Sequence, residues 1–438
     1  MSPLPSSETL KPTVCREHQL ETFRRMLAEV LAGNAFYRRK FAEAGITGAE
    51  DVHMWEEFAD LPFTYKGELV ADQETNPPFG TFLTYPVERY ARLHQTSGTT
   101  GKPLRWLDTE ESWQWWGRCW ATIYRAAGVD SSDRVFFAFS FGPFIGFWAA
   151  WEGARQVGAL TISGGAQNSE QRLTNLLELG ATVVCCTPSY ALHLAEVARA
   201  TGQAERLRDS TVKAVIVAGE PGGSIPATRR RIESTWGARL YDHPGATEIG
   251  AYGFTCVHQC GVHVNENEFI AEVLVPRGDE PAENDDGELV ITNLGRWGSP
   301  IIRYRTGDHV RLVREPCACG RTFVRMDGGV IGRIDDMLVV RGVNVYPSAI
   351  ENIIRTAQEI DEYCIEVRRD GAMDELTILV EPMASAAPDG QRLAAQLARL
   401  FENRLALRTT VVAVAPGILP RWELKARRVR DLRAAAEA

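Results

Sequence analysis

Between Arg134 and Pro244, short β-branched runs alternate with longer amphipathic ones, and this alternation leaves few folds open to the chain. It predicts strand 135–141, a helix, strand 159–163, helix 170–179, strand 181–187 and helix 189–201. Strand 213–218, helix 226–235 and strand 239–242 follow. Strands separated by helices cannot pair as tight hairpins, so they imply crossovers and a mostly parallel sheet covered on both faces. Breaks at Gly164-Gly165, Pro188 and Gly219–Gly223 put loops at the carboxyl edge, where open α/β sheets bind ligands.

From Phe269 to Val313 the text changes to short strands with turns, as in Gly287-Glu288-Leu289-Val290-Ile291-Thr292, which predicts an antiparallel β region. Beyond Gly332 the alternation returns, with helices at 347–357 and 391–405 and strands at 337–340, 363–368, 376–381 and 409–414. The expectation is an α/β protein with a large N-terminal domain over residues 1–334 and a small α+β C-terminal domain over 335–438.

A content of 45% apolar and 24% charged residues is that of a globular chain, and excludes collagenous or disordered classes. A net charge of −9 disfavours nucleic acid or an anionic membrane as the main partner. The uncharged run from Val135 to Trp151 falls short of the ~20 residues a bilayer requires. Nine scattered cysteines and a start without a basic-then-apolar leader point to a reducing, cytoplasmic setting.

The sharpest local signal is Gln95-Thr96-Ser97-Gly98-Thr99-Thr100-Gly101-Lys102-Pro103. Its glycines allow a tight turn, and its hydroxyls and amides can converge on an anion such as a phosphate. The spacing is not that of a nucleoside-triphosphatase P-loop, and a flexible surface loop would read the same in isolation.

Other motifs follow in order: Gly219-Glu220-Pro221, Gly245-Ala246-Thr247-Glu248, Arg303-Tyr304-Arg305-Thr306-Gly307-Asp308 and Gly332-Arg333-Ile334-Asp335-Asp336. Arg341-Gly342-Val343-Asn344-Val345 and Pro420-Arg421-Trp422-Glu423-Leu424-Lys425 complete the series. Together they resemble the adenylate-forming enzymes, and within them the phenylacetate–coenzyme A ligase branch. That resemblance implies an acid, ATP and coenzyme A as substrates: the carboxylate displaces pyrophosphate from ATP, and a thiol then displaces AMP.

It also implies roles. Ser97, Gly98, Thr99, Thr100, Gly101 and Lys102 would bind the β,γ-phosphates. Glu248 would hold magnesium, and Thr247 would place a hydroxyl on the phosphate. Gly219, Glu220 and Pro221 would flank adenine, with Asp242 and His243 on the nucleotide and Ala246 on the acyl side. Asp308 would hold the ribose hydroxyls, supported by Arg333. Lys425 would bridge carboxylate and α-phosphate, and Asp335 would be the hinge of a mobile C-terminal domain. Two departures stand out: Leu424 replaces the usual glycine before the lysine, and Pro244 replaces a tyrosine that stacks on adenine, a contact Tyr241 or His243 could supply.

Cys256, His263, Cys317 and Cys319 offer one imidazole and three thiolates, a donor set for a closed, structural zinc site. His258 and Cys260 compete as ligands, and inert buried thiols are the alternative. Phe141 and Phe144 are pocket candidates for a flat aryl acid such as benzoate, anthranilate or phenylacetate, with Phe139, Phe147 and Trp148 left to the core. The basic stretch 421–433 reads as a solvated helix. A carrier protein's pantetheine thiol is an alternative acceptor to coenzyme A, a dead nucleotide-binding scaffold is a third reading, and a homodimer is allowed.

Overall fold

The computed structural model describes residues 4–96, 103–142, 144–340, 343–370, 373–405, 409–422 and 426–433. They form two compact units, Met1–Ala166 with Tyr241–Gly329, and Gln167–Leu240 with Val330–Ala438.

The first unit opens with helix Pro12–Gly33, which buries Phe23, Met26, Leu27 and Val30, one face at a spacing of three to four residues. Asn34 then caps helix Ala35–Glu43 by accepting from the Tyr37 amide at 3.0 Å. A hairpin of Tyr90–Gln95 with Arg105–Thr109 leads into helix Glu110–Ala126, where the Thr109 hydroxyl accepts from Ser112 N at 3.2 Å. Strands Arg134–Phe137 and Leu160–Ser163 pair in parallel, with helix Ile145–Val157 between them in the chain. The β region is antiparallel, as expected. Its strands run in the order Phe269–Leu274, Asp286–Asn293, Tyr304–Val313, Arg325–Met326, Val262–Val264 and Gly253–Thr255.

In the second unit, strands Val183–Cys186 and Ala214–Val217 pair in parallel and are buried throughout, which accounts for their unbroken apolar text. Helices Ser169–Glu178, Pro188–Ala200 and Pro226–Trp236 accompany them. The C-terminal segment forms a sheet in the order Thr410–Ala413, Met373–Pro382, Ile360–Asp370, Val429–Asp431. Helices Pro347–Ile354 and Gly390–Leu405 close its core through Ile350, Ile354, Leu397 and Phe401 against Ile365 and Ile378. Contacts within the unit join its two segments: Thr228 Oγ1 donates to Glu351 Oε1 at 3.1 Å, and Arg199 Nη2 meets Asp361 Oδ1 at 2.9 Å. Among the described residues, no helix is long and apolar enough to cross a membrane.

Two expectations need correction. The strand predicted to reach Phe141 ends at Phe137, whose carbonyl accepts both Phe139 N and Gly164 N at 2.9 Å, so the chain turns away from the sheet. The basic stretch 421–433 is not a helix where it is described. Val429–Asp431 joins the sheet in parallel with Ile360–Asp370, and Arg421 and Arg428 are engaged by carboxylates. Tertiary pairing overrides the local preference of such a short run.

Candidate active site and metal centre

The hydroxyl-rich loop and Lys425 lie outside the described residues, but the flanks of the loop do not. Thr96 N donates to Leu104 O, and Leu104 N to Thr96 Oγ1, each at 3.0 Å, so the loop is the connection of a closed hairpin. The strand leaving it carries Asp108, which no motif singles out. Arg296 Nε and Nη2 donate to the two Asp108 oxygens at 2.7 Å each, and both side chains are wholly buried. Arg296 Nη1 donates onward to the carbonyls of Thr247 at 2.7 Å and Glu248 at 3.2 Å. The hairpin and the Thr247-Glu248 turn are thus fastened to each other through one guanidinium.

That turn is tight. Gly250 N donates to Ala246 O at 3.0 Å, with Gly250 at φ +130°, where a Cβ would lie 2.6 Å from the Trp115 ring. No other residue fits there. Glu248 is buried, and Lys66 Nζ lies 3.1 Å from its Oε1, a partner the motifs did not reveal. Asp308 stands on a bulge, because register passes from Glu288 opposite His309 to Val290 opposite Arg305. The three intervening residues are therefore pushed out against one, the device that re-aims side chains beside functional sites. Gly307 at φ 72° makes the bend, and Thr306 Oγ1 secures it by donating to Leu289 O at 2.7 Å. The arginines of this motif are structural: Arg303 grips Glu272 at 3.1 and 2.9 Å, and Arg305 pairs with Glu288.

Asp242 N donates to Thr255 Oγ1 at 3.3 Å. His243 is buried against Trp120, 4.4 Å between ring centroids, with Nδ1 2.7 Å from Gly253 O. Burial, partly opposed by that carbonyl, brings its pKa down to about 4, so the ring is neutral at pH 7.

Phe141 is half-buried and packs on Trp148 at 4.6 Å and Trp151 at 5.5 Å; Phe144 sits at the start of helix Ile145–Val157. Phe139 stacks on Phe147 and is buried, as expected. Trp148, assigned to the core from sequence, is instead 41% exposed, with its indole N–H on the Gly142 carbonyl at 2.9 Å.

In the second unit, the Glu220 carboxylate follows strand Ala214–Val217 and accepts from Ser189 N at 2.7 Å and Ala426 N at 2.8 Å. Arg333 pairs with Asp335 at 3.0 and 3.3 Å, both side chains largely exposed.

Cys256, His263, Cys317 and Cys319 offer ligand atoms within 4.8 Å of one another. Cys256 follows strand Gly253–Thr255, and His263 lies on the paired strand Val262–Val264. Cys317 and Cys319 occupy a tight turn in which Gly320 N donates to Cys317 O at 2.9 Å and Cys317 N to Arg321 O at 3.1 Å. A tetrahedral zinc with ordinary Zn–S and Zn–N lengths requires S···S edges of about 3.8 Å and S···N edges of about 3.6 Å. The Cys256–Cys317 sulfurs are 3.7 Å apart, and Cys319 Sγ is 3.6 Å from His263 Nε2, so these residues fit the ion. Cys260 also approaches, 3.1 Å from Cys317, but is exposed. Burial opposes ionisation of Cys319, yet His263 and Arg321 bring its thiol down to about 5, favouring the thiolate a metal needs.

The hairpin and the buried Thr247-Glu248 turn, tied through Arg296, stand with the bulge at Asp308 on an α/β scaffold, and likeness to known proteins gives its class. Residues 342–433 match the AMP-binding enzyme C-terminal domain. Phenylacetate-coenzyme A ligase of Thermus thermophilus is 33% identical over 98% of this chain and 99% of its own. The Pseudomonas putida enzyme of that name is 33% identical over 98% and 97%. A crystal structure of 2-hydroxyisobutyryl-CoA ligase in the postadenylation state superposes with a TM-score of 0.93 at 29% identity, covering 100% of this chain and 95% of that one. Its thioesterification state gives 0.73 at 30% identity, covering 100% and 96%.

The molecule is an AMP-forming acid–coenzyme A ligase by class. Its chain belongs to the phenylacetate–coenzyme A ligase family.

Proposed function

We propose that the acid this enzyme activates is an aryl carboxylate, related to phenylacetate, benzoate or anthranilate. The observation that carries this is the aromatic cluster of Phe141, Trp148 and Trp151 beyond strand Arg134–Phe137, in a chain whose full-length relatives are phenylacetate-coenzyme A ligases. A carboxylate oxygen attacks the α-phosphorus of ATP, the bond to the bridging oxygen of pyrophosphate breaks, and a mixed anhydride forms. The coenzyme A thiol then attacks the acyl carbon, loses its proton, and AMP leaves.

Charge develops on phosphate oxygens in the first step, so fixed donors and cations are the natural catalysts. The loop 97–102 supplies donors, Thr247 a hydroxyl, and Lys425 a mobile charge between carboxylate and phosphate. Magnesium, when bound, would neutralise the phosphates. Glu248 is suited to hold it, because magnesium takes one or two carboxylates beside substrate phosphates. Asp308 receives the ribose hydroxyls, Arg333 supports that end, Gly219, Glu220 and Pro221 flank the base with Asp242 and His243 close by, and Ala246, Phe141 and Phe144 meet the acyl group. The C-terminal domain, residues 335–438, turns about Asp335 between the two steps.

Zinc held by Cys256, His263, Cys317 and Cys319 has four protein ligands and no open position, so it is structural. Nine cysteines, none of them in a disulfide, suit a reducing cytoplasm.

The test is acid-dependent ATP–pyrophosphate exchange over a panel of aryl and small hydroxy acids, with thioester formation followed using free coenzyme A and a carrier protein in parallel. Aryl acids with coenzyme A should give the highest rates. Preference for 2-hydroxyisobutyrate would overturn the aryl assignment, and transfer only to the carrier protein would overturn the acceptor.

A further inference from the structure

Glu220 lies in the turn whose backbone flanks adenine, yet its carboxylate is directed elsewhere. It accepts from Ser189 N at 2.7 Å and from Ala426 N at 2.8 Å. Ser189 is in the first turn of helix Pro188–Ala200, where amides lack intrahelical acceptors, so one of these bonds is an ordinary need of a helix end. The other is not. Ala426 is the residue directly after Lys425, separated from Glu220 by more than two hundred positions.

The chain before the lysine is pinned from the same segment. Arg421 Nε meets Glu196 Oε2 at 3.2 Å on helix Pro188–Ala200, while Arg421 Nη2 meets Glu381 at 2.6 Å. After Ala426, Arg428 grips Glu362 at 2.6 and 3.0 Å, and Val429 pairs beside Ile365. These anchors fall into two kinds. Glu381, Glu362 and Ile365 belong to the C-terminal segment and stay with it in any rearrangement. Glu196 and Glu220 belong to residues 167–240, so bonds to them would break if the C-terminal domain turned as proposed above. Of the two, Glu220 is the stronger. Arg421 keeps Glu381 when Glu196 is lost, whereas the Ala426 amide has no described acceptor except Glu220. An amide–carboxylate bond is also charge-assisted.

We infer that Glu220 is a positioning residue: by accepting the Ala426 amide it sets the lysine stretch for adenylation, and this bond must break before thioester formation. The inference rests on the reading in which Lys425 serves adenylation and the C-terminal domain then moves. Losing one charge-assisted bond corresponds to a rate change on the order of tenfold.

The experiment uses the full-length protein as Glu220→Ala and Glu220→Gln, with two readouts. Hydrogen exchange at the Ala426 amide should quicken about tenfold in Glu220→Ala, and less in Glu220→Gln, whose amide oxygen still accepts. Acid-dependent ATP–pyrophosphate exchange should fall about tenfold more than transfer from preformed acyl-adenylate to coenzyme A. An unchanged Ala426 amide, or equal loss in both half-reactions, would overturn the role. If Glu220→Ala does not fold, Glu220→Gln decides by the same two measurements. A parent enzyme silent in ATP–pyrophosphate exchange would overturn the ligase reading itself, and the assignment with it. An active parent with Ala426 indifferent to Glu220 would remove this assignment alone.

Discussion

Arg296 and Asp108 meet through two parallel bonds of 2.7 Å, with neither side chain exposed to solvent. The pair joins the strand that leaves the hydroxyl-rich loop to the turn that carries Glu248, through the Thr247 carbonyl. Removing one partner would strand a buried charge, at a cost of about 3–5 kcal/mol. Arg296→Met is therefore expected to lower the urea midpoint strongly and adenylation with it. The double variant with Asp108→Asn should recover part of the stability, because no unpaired charge remains. Midpoints for the single and double variants, measured in one buffer, check this; strictly additive losses would show that the two groups are not coupled.

The zinc assignment makes two quantities move together. Elemental analysis of the unmodified protein should find one zinc per chain. Cys317→Ser should lower zinc content and the thermal midpoint in step, since a structural site contributes its binding energy to folding. Cys260→Ser, which removes the exposed neighbouring thiol, should leave zinc content unchanged. A fall equal to that of Cys317→Ser would make Cys260 a ligand.

Lys425→Ala should cripple the first half-reaction by roughly two orders of magnitude or more, the usual cost of losing a transition-state cation. Transfer from preformed acyl-adenylate should change far less. Separate rates for the two half-reactions decide it, and a common factor of loss would refute the division of labour.

His94 and His243 are both buried, and burial brings each pKa from 6.5 to about 4. Asp108 opposes the shift at His94, and the Gly253 carbonyl opposes it at His243. Between these values the unfolded chain binds the proton and the folded one does not. Each ring's contribution is whole above pH 6.5 and is lost as pH falls toward 4, by about 1.4 kcal/mol per unit. Raised carboxyls such as Glu268 and Glu272 act in the opposite direction, so the useful quantity is a difference. The stability of the parent minus that of His243→Gln should shrink steadily from pH 6.5 to pH 4.5; a constant difference would mean that the ring titrates normally.

Much of the site was legible residue by residue. Glu248, Asp308, Glu220 and the four metal-ligand candidates were named from motifs, and the four come together within 4.8 Å. Their partners were not. Asp108 and Arg296 are 188 residues apart, and Lys66, the first residue of helix Lys66–Thr75, reaches Glu248 from far along the chain, so no local pattern announces either contact. An arginine between glycines beside Trp297, in an otherwise apolar stretch, was the one available hint of a buried charge.

Local periodicity by itself determined the alternating strands and helices, the antiparallel interlude and the chemistry available at each motif, because these depend on neighbours in the chain. Tertiary structure decided the rest. It ended the strand at Phe137, exposed Trp148, and turned the described parts of the basic stretch, 421–422 and 426–433, into anchors and an edge strand. The last of these is set by carboxylates and a strand distant in sequence, and a buried charge or an unpaired amide is satisfied only by what the fold brings to it.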